Sequence, residues 1–401
     1  MISIIQGDVI EVLRDYPDES FTACFCDPPY GLKFMGKEWD HGVPASPYWA
    51  EILRVLKPGA VLMAFSGTRT WHRLDVAIED AGFELFDTMM WLHGQGMPKS
   101  LAIDKAIDKE AGAERKVIGQ RKGQGSIPND RGKWGLKPNT PVDITLPATD
   151  AAKTWDGYGI NLKPSFEPIL LAHKPRNTTF AQTAIEHGSS ALNIAGCRIP
   201  SAESYTINTW DDGAKPFGDG AGHPFTSRQQ SGRWPANVIH DGSDEVVGLF
   251  PQSNKHSAAR FFYCAKANRR ERDAGLEEMP KVFTPTMGDG IGVREHNPEQ
   301  LAAWVYNPHT TIKPLALCKY LATLIVPPED YRDEADLLIP FAGVLSEAIG
   351  AVLAGWRNIT TIELEKDYCE IGYKRINWWI AKIQETGLTD PKAILKICGR
   401  K

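Results

Sequence analysis

Asp27-Pro28-Pro29-Tyr30 sets a carboxylate, two stiffening prolines and an aromatic ring directly after an apolar run, Phe21 to Cys26. Ligands of open α/β sheets bind beyond the carboxyl ends of the strands. Asp27 and the Pro28 carbonyl there could accept the two N–H bonds of an exocyclic amino group on a planar base. Tyr30 could stack on the ring, a contact worth roughly 1–3 kcal/mol per base. A plain turn ending a strand is the competing reading.

Pro340-Phe341-Ala342-Gly343 closes a second strand and opens a helix, and Glu363 follows 20 residues after Gly343. A glycine turn with an acid about 20 residues on is the pattern of a nucleoside site, where the acid binds ribose hydroxyls. Val344 and Leu345 stand where further glycines usually follow, so a simple strand–helix corner stays open. Third, Asn307-Pro308-His309-Thr310-Thr311-Ile312-Lys313-Pro314 precedes a helix. Thr311 reads as its N-cap, and amide donors at that helix start could hold a carboxylate or serve only as a cap. His309 has no partner cluster, so no metal site is expected.

Elements that could position these residues alternate regularly at both ends of the chain. The pattern predicts strands at Ile2–Ile5, Phe21–Cys26, Ala60–Phe65 and Phe83–Trp91, with helices at Trp49–Leu56 and Trp71–Ala81. After residue 314 it predicts helices at Leu315–Ile325, Ser346–Gly355 and Lys366–Ile383, with strands at Leu337–Phe341 and Asn358–Ile362. Continuous apolar strands between helices call for a parallel, doubly wound α/β sheet. Between them the rhythm is lost in a stretch rich in Gly, Pro, Asn and Ser. A structureless loop of that size is improbable, so an irregular insertion is expected. The division is 1–94, 95–305 for the insertion, 306–384, and a weakly basic tail at 385–401.

The chain has 401 residues, 42% hydrophobic and 24% charged, with a net charge of −5. Such composition excludes collagen-like, largely disordered and wholly basic classes. Local basic patches are still allowed. One runs from Arg115 to Lys137 and includes Arg121 and Lys122, opposed only by Asp130. Another runs from Lys255 to Arg272 and includes Arg260, Lys266, Arg269 and Arg270, opposed only by Glu271 and interrupted by Phe261, Phe262 and Tyr263. Basic side chains with interleaved aromatics suit nucleic-acid contact, although solvated surface is the commoner fate of such runs. Seven cysteines without a C-x-x-C argue against a disulfide framework or zinc ribbon. No signal peptide or membrane span is read, and a reducing cytoplasm is the expected location.

In combination these motifs resemble the DNA amino-methyltransferases that use S-adenosylmethionine, specifically their circularly permuted β class. DPPY comes first at 27–30, NPHTTIKP follows at 307–314, then PFAG at 340–343 and IELE at 362–365. FEPILLAHKP at 166–175 is similar to a segment of phage-type members. The likeness covers residues 1–94 and 305–384, with only patches of the insertion. It implies a Rossmann-like, circularly permuted methyltransferase sheet and S-adenosyl-L-methionine as cofactor. Asp27, Pro28, Pro29 and Tyr30 would be catalytic. Phe341 and Gly343, with Pro340 and Asp27 beside them, would line the cofactor, Glu363 would bind its ribose and Asp8 its adenine amino group. Thr311 and Lys313 would close over its methionine end.

The implied reaction is site-specific methylation of adenine N6 in double-stranded DNA, with the base flipped onto Tyr30. Asp rather than Ser at the head of the motif favours adenine. Cytosine N4 methylation and a catalytically silent DNA-binding relative are the alternatives, and RNA or protein-glutamine methylation is a lesser one. A homodimer and a partner restriction endonuclease are both compatible with the likeness. Two departures stand out: Ile339 where the family usually has Asp, and Val344-Leu345 where it has Ser-Gly. Glu347 adds a negative charge near the helix start, where it is favourable.

Overall fold

The computed structural model describes all residues except 33–39, 41, 95–99, 123–126, 129–133, 136–140, 211–224, 251, 254–255, 258, 260–261, 265–269, 286–301, 310–311 and 399–401. Nine strands form the central sheet: β1 (Ile2–Gln6), β2 (Phe21–Cys26), β3 (Leu56–Phe65), β4 (Glu84–Leu92), β5 (Phe166–His173), β6 (Val238–His240), β7 (Tyr263–Cys264), β8 (Asp336–Pro340) and β9 (Asn358–Glu363). Their spatial order is β1-β9-β8-β2-β3-β5-β4-β6-β7. Only β5 runs antiparallel to its neighbours. The fold is thus a Rossmann-like α/β sheet of mostly parallel strands.

The middle segment contributes to this sheet rather than lying wholly outside it. Its β5 is hydrogen-bonded between β3 and β4, and β6 and β7 extend the far edge. The apolar run Phe166–His173 explains why, since six of its eight residues are buried. Only a strand covered on both faces would have such a run.

Both sheet faces are covered. Ala23, Phe25, Val61, Met63 and Phe65 pack with α4 (Leu315–Ile325), α5 (Ser346–Ala354) and α6 (Lys366–Thr386). Cys24, Cys26, Leu62 and Ala64 pack on the other face with α1 (Val9–Leu13), α2 (Ser46–Val55) and α3 (Trp71–Asp80). Alternation along β2 and β3 feeds both cores, which is why neither strand carries a polar face. The C-terminal residues read as a tail form a helix, Pro391–Cys398, with Pro391, Ile394 and Leu395 buried. Cys24, Cys26, Cys197, Cys318, Cys369 and Cys398 are free, no described helix is long and apolar enough to cross a membrane, and no metal-binding cluster occurs among the described residues.

Candidate functional site

The parallel strands deliver their carboxyl ends to one edge of the sheet. Gly7 and Asp8 follow β1, Asp27 follows β2, Phe341 to Gly343 follow β8, and Glu363 ends β9. All of these border one cavity of about 500 Å³. Pro28, Pro29, Tyr30, His309, Lys313 and Glu347 line it too. The two remote motifs therefore meet in space. Pro340 is the buried last residue of β8 and does not line the cavity. Thr311 lies outside the described residues.

Two prolines cannot donate to a ladder, so the chain leaves the sheet at Asp27 and turns its carboxylate into the cavity. Lys313 Nζ lies 2.6 Å from Asp27 Oδ2 and 3.2 Å from Glu167 Oε2. Tyr30 Oη is 2.8 Å from Asp27 Oδ1, 2.9 Å from Glu167 Oε2 and 3.1 Å from Lys313 Nζ. The Lys313 ammonium also stands 4.7 Å from the Phe65 ring centre. Glu167 comes from β5, whose antiparallel direction brings its beginning to the same sheet edge as the other strands' ends. No local pattern in the sequence announces its pairing, although FEPILLAHKP marks the segment.

Burial alone would lower the Lys313 pKa, but Asp27 and Glu167 outweigh it and hold the ammonium above the ordinary lysine range. Burial raises the Asp27 carboxyl, with Lys313 opposing. For Glu167 burial also acts upward, yet Lys313 and then His93 bring it below the usual range. Burial and the two neighbouring carboxylates raise Tyr30, so its hydroxyl keeps its proton. A carboxylate has about four acceptor sites. Asp27 thus retains acceptor capacity toward the cavity after satisfying Lys313 and Tyr30.

The glycine turn is built differently. Gly343 has φ +50°, and its N–H donates to Glu363 Oε2 at 2.6 Å. Glu365 N–H donates to Glu363 Oε1 at 2.9 Å. Burial raises the Glu363 carboxyl, and these amides partly offset it. Leu345 also adopts a left-handed conformation, φ +65°, while fully buried. The turn expected of glycine is therefore retained with leucine in it. The side chain fills space above Gly372, where an added Cβ would lie 2.5 Å from Leu345 Cγ. Val344 packs with Leu276 and Ile371.

Asp8 caps α1, accepting from Ile10 and Glu11 N–H, and also accepts from Tyr48 Oη at 3.0 Å. Glu347, in the first turn of α5, is 5% exposed, and burial followed by the nearby Asp27 pushes its carboxyl up to about 7.

The residues before α4 are held from the middle segment. Arg272 donates to the His309 carbonyl, Asn307 Nδ2 donates to the Arg272 carbonyl, and Leu315 N–H donates to Glu271 Oε2. Glu271, read as the lone acid of a basic run, is 3% exposed and acts as a helix cap. Arg270 is exposed in the short helix Arg270–Asp273. Arg260, Lys266 and Arg269 lie outside the described residues. Arg121 and Lys122 close the strand Val117–Lys122, and only their backbone is described.

Such an arrangement can present a fixed acceptor to an amino group beside a pocket for a nucleoside-bearing molecule. The model of the DNA methylase family matches residues 21–374. Type II methyltransferase M.HindIII of Haemophilus influenzae is 27% identical over 146 residues, covering 36% of this chain and 36% of that protein. The putative methylase YubD of Escherichia coli K12 is 31% identical over 96 residues, covering 21% of this chain and 40% of that protein. The chain thus spans well under half the length of each of these two relatives. Among solved structures, M1.HpyAVI aligns with a TM-score of 0.39 at 12% identity, over 94% of this chain and 99% of that one. PvuII DNA methyltransferase (cytosine-N4-specific) aligns at 0.43 and 12%, over 96% and 93%.

Proposed function

The chain belongs to the DNA methylase family, and from that premise we propose that it methylates the N6 amino group of adenine at specific sites in double-stranded DNA. One observation carries this reading: Asp27 borders the same cavity as Gly343 and Glu363. The methyl donor is S-adenosylmethionine, which supplies an electrophilic methyl group on a sulfonium. The cavity fits such a donor. Its volume of about 500 Å³ suits a small molecule. Gly343 leaves room that a side chain would fill, since an added Cβ would lie 3.2 Å from His309 Nε2. Glu363 would hold ribose hydroxyls through its remaining acceptor sites, and Asp8 would accept from the adenine amino group. Phe341 and Lys313 complete the walls, and Thr311 belongs to the same proposed segment.

The target nitrogen is a poor nucleophile because its lone pair is delocalised into the ring. Asp27 and the Pro28 carbonyl, accepting both N–H bonds, favour a pyramidal nitrogen with its lone pair free. Much of the acceleration comes from holding the reactants at near-attack geometry. Lys313 and Tyr30 keep Asp27 in place and oppose the rise that burial gives its carboxyl, and Asp27 acts as an acceptor that need not be a strong base. Duplex DNA hides this amino group, so the base is flipped out, with Tyr30 as the stacking face.

Adenine is favoured by Asp at the head of the motif. The permuted order is supported by β8 lying between β9 and β2, which joins the two chain ends in one sheet. Arg121, Lys122, Arg260, Lys266, Arg269 and Arg270 are proposed to meet DNA phosphates. A restriction-modification role is part of the same proposal.

The test is transfer of tritiated methyl from S-adenosylmethionine to DNA, followed by nucleoside analysis. N6-methyladenine is expected, and N4-methylcytosine would overturn the choice of base. Asp27→Ala should leave DNA binding largely intact and lower methyl transfer by roughly 10²–10³-fold or more, as removal of an electrostatic catalytic group does. Turnover close to the parent chain would refute the role of Asp27.

A further inference from the structure

Among the described residues, the walls of the cavity carry five carboxyl groups, Asp8, Asp27, Asp40, Glu347 and Glu363, and one lysine, Lys313. Four of the five already have donors. Asp8 accepts from Tyr48 and two amides, Asp27 from Lys313 and Tyr30, Asp40 from Gly31 N–H at 2.7 Å, and Glu363 from two amides. Glu347 differs. Among the described residues its only hydrogen-bond donor is its own backbone N–H, and no cation lies within 4 Å of it. The nearest basic groups are committed elsewhere. Lys313 pairs with Asp27 and Glu167, and Arg375 donates to the Val344 carbonyl, Ser346 Oγ and the Glu271 carbonyl.

A carboxylate that is 95% removed from water, faces a cavity and lacks a counter-ion is a costly arrangement unless a ligand brings the missing charge. The proposed donor carries such a charge at its amino-acid end. We propose that Glu347 is the binding residue for the α-ammonium group of the methyl donor. This inference rests on the donor reading above and deepens it by assigning one wall of the cavity. Glu347 keeps a proton until about pH 7 in the unliganded chain, which is how the fold tolerates it. Binding an ammonium would release that proton. At the start of α5, Glu347 would supply the acid that Ile339, at the cavity end of β8, does not.

Calorimetric titration of the full chain with three probes tests the assignment. S-adenosylmethionine and S-adenosylhomocysteine both carry the ammonium, and only the first carries the sulfonium. 5′-Methylthioadenosine carries neither group but keeps the nucleoside. Glu347→Gln should weaken the first two probes by a similar factor, roughly 10- to 100-fold for loss of a charge-assisted hydrogen bond. It should leave 5′-methylthioadenosine unchanged. Glu347→Asp keeps the charge and should recover part of the loss. Unchanged S-adenosylhomocysteine affinity in a folded E347Q chain would overturn the assignment, and so would an equal loss for 5′-methylthioadenosine. Should E347Q not fold, the ratio of S-adenosylhomocysteine to 5′-methylthioadenosine affinity in E347D decides in the same way. A parent chain that binds none of the three probes would overturn the donor reading and this inference with it. A parent chain that binds all three with the variant unaltered overturns only the role of Glu347.

Discussion

Around Asp27 the protein interior supplies a lysine for its carboxylates; around Glu347 and Glu271, behind the glycine turn, the described residues supply none close enough to pair. In the first region Lys313 lies within 3.2 Å of both Asp27 and Glu167. In the second, burial pushes Glu347 and Glu271 each up to about 7. Arg375 is fully buried beside them, and burial lowers it to about 10. It spends its donors on carbonyls and a hydroxyl instead. One interior thus neutralises acids in two ways, by ion pairing and by retaining protons. Pairing fixes geometry and opposes the rise that burial gives the Asp27 carboxyl, which suits an acceptor that must always be aimed. Proton retention leaves a group that a cationic ligand can titrate.

The strongest way to break this contrast is to remove the lysine. Lys313→Met leaves Asp27 and Glu167 buried without a cation, and breaking a buried pair from one side costs roughly 3–5 kcal/mol. A large fall in unfolding free energy is expected in denaturant titrations at pH 8. The deficit should narrow as pH falls, because both acids acquire raised folded-state pKa values and protonation removes their charge. A loss below about 1 kcal/mol at pH 8 would show that the pair is no more than a surface contact.

Much of this contrast was out of reach of local sequence patterns. DPPY, the Gly343 turn and Glu363 were readable because each works through its own strand end. The apolar runs at Phe21–Cys26 and Leu315–Ile325 likewise define their elements by themselves. The Lys313–Glu167 pair depends on β5 returning antiparallel between β3 and β4, and nothing in the Phe166–His173 run states its neighbours. Glu271 sits among arginines and read as the lone acid of a basic patch suited to DNA, yet it turns inward to cap α4. Leu345 in a left-handed conformation contradicts residue preference, and only its packing over Gly372 accounts for it. The lysines of the last segment hid the spacing of Pro391, Ile394 and Leu395 that buries one helix face.

Glu271→Gln sharpens the second half of the contrast. Its folded carboxyl sits at about 7, above the ordinary glutamate value, with burial as the largest cause. The folded state therefore binds the extra proton, and stability is fully present below the unfolded pKa of about 4.3. It is lost as pH rises through about 7. A glutamine keeps an oxygen for the Leu315 N–H and has no proton to lose. The variant should gain on the order of 1–3 kcal/mol over the parent at pH 8 and almost nothing at pH 4. Equal unfolding curves at pH 8 would mean that Arg375 and Lys392 compensate Glu271 more fully than its burial suggests.

Gly343→Ala is the smallest change and tests the part of the second region held by backbone donors. The substitution alters no charge. Alanine at φ +50° is strained, and its Cβ would lie 3.2 Å from His309 Nε2. His309 has little freedom to retreat, because Arg272 holds its carbonyl and Tyr368 packs edge-on against its ring. Something in the turn must shift, and the Gly343 N–H that Glu363 accepts moves with it. A stability loss of about 1 kcal/mol is expected, together with weaker donor binding measured by calorimetry. Because the cause is steric, both losses should be the same at pH 6 and pH 8, unlike the pH-dependent loss of the Lys313 variant and the pH-dependent gain of the Glu271 variant. A pH-dependent loss would mean instead that the amide donors govern the proton on Glu363, which would move that residue from the backbone-held group to the titrating one.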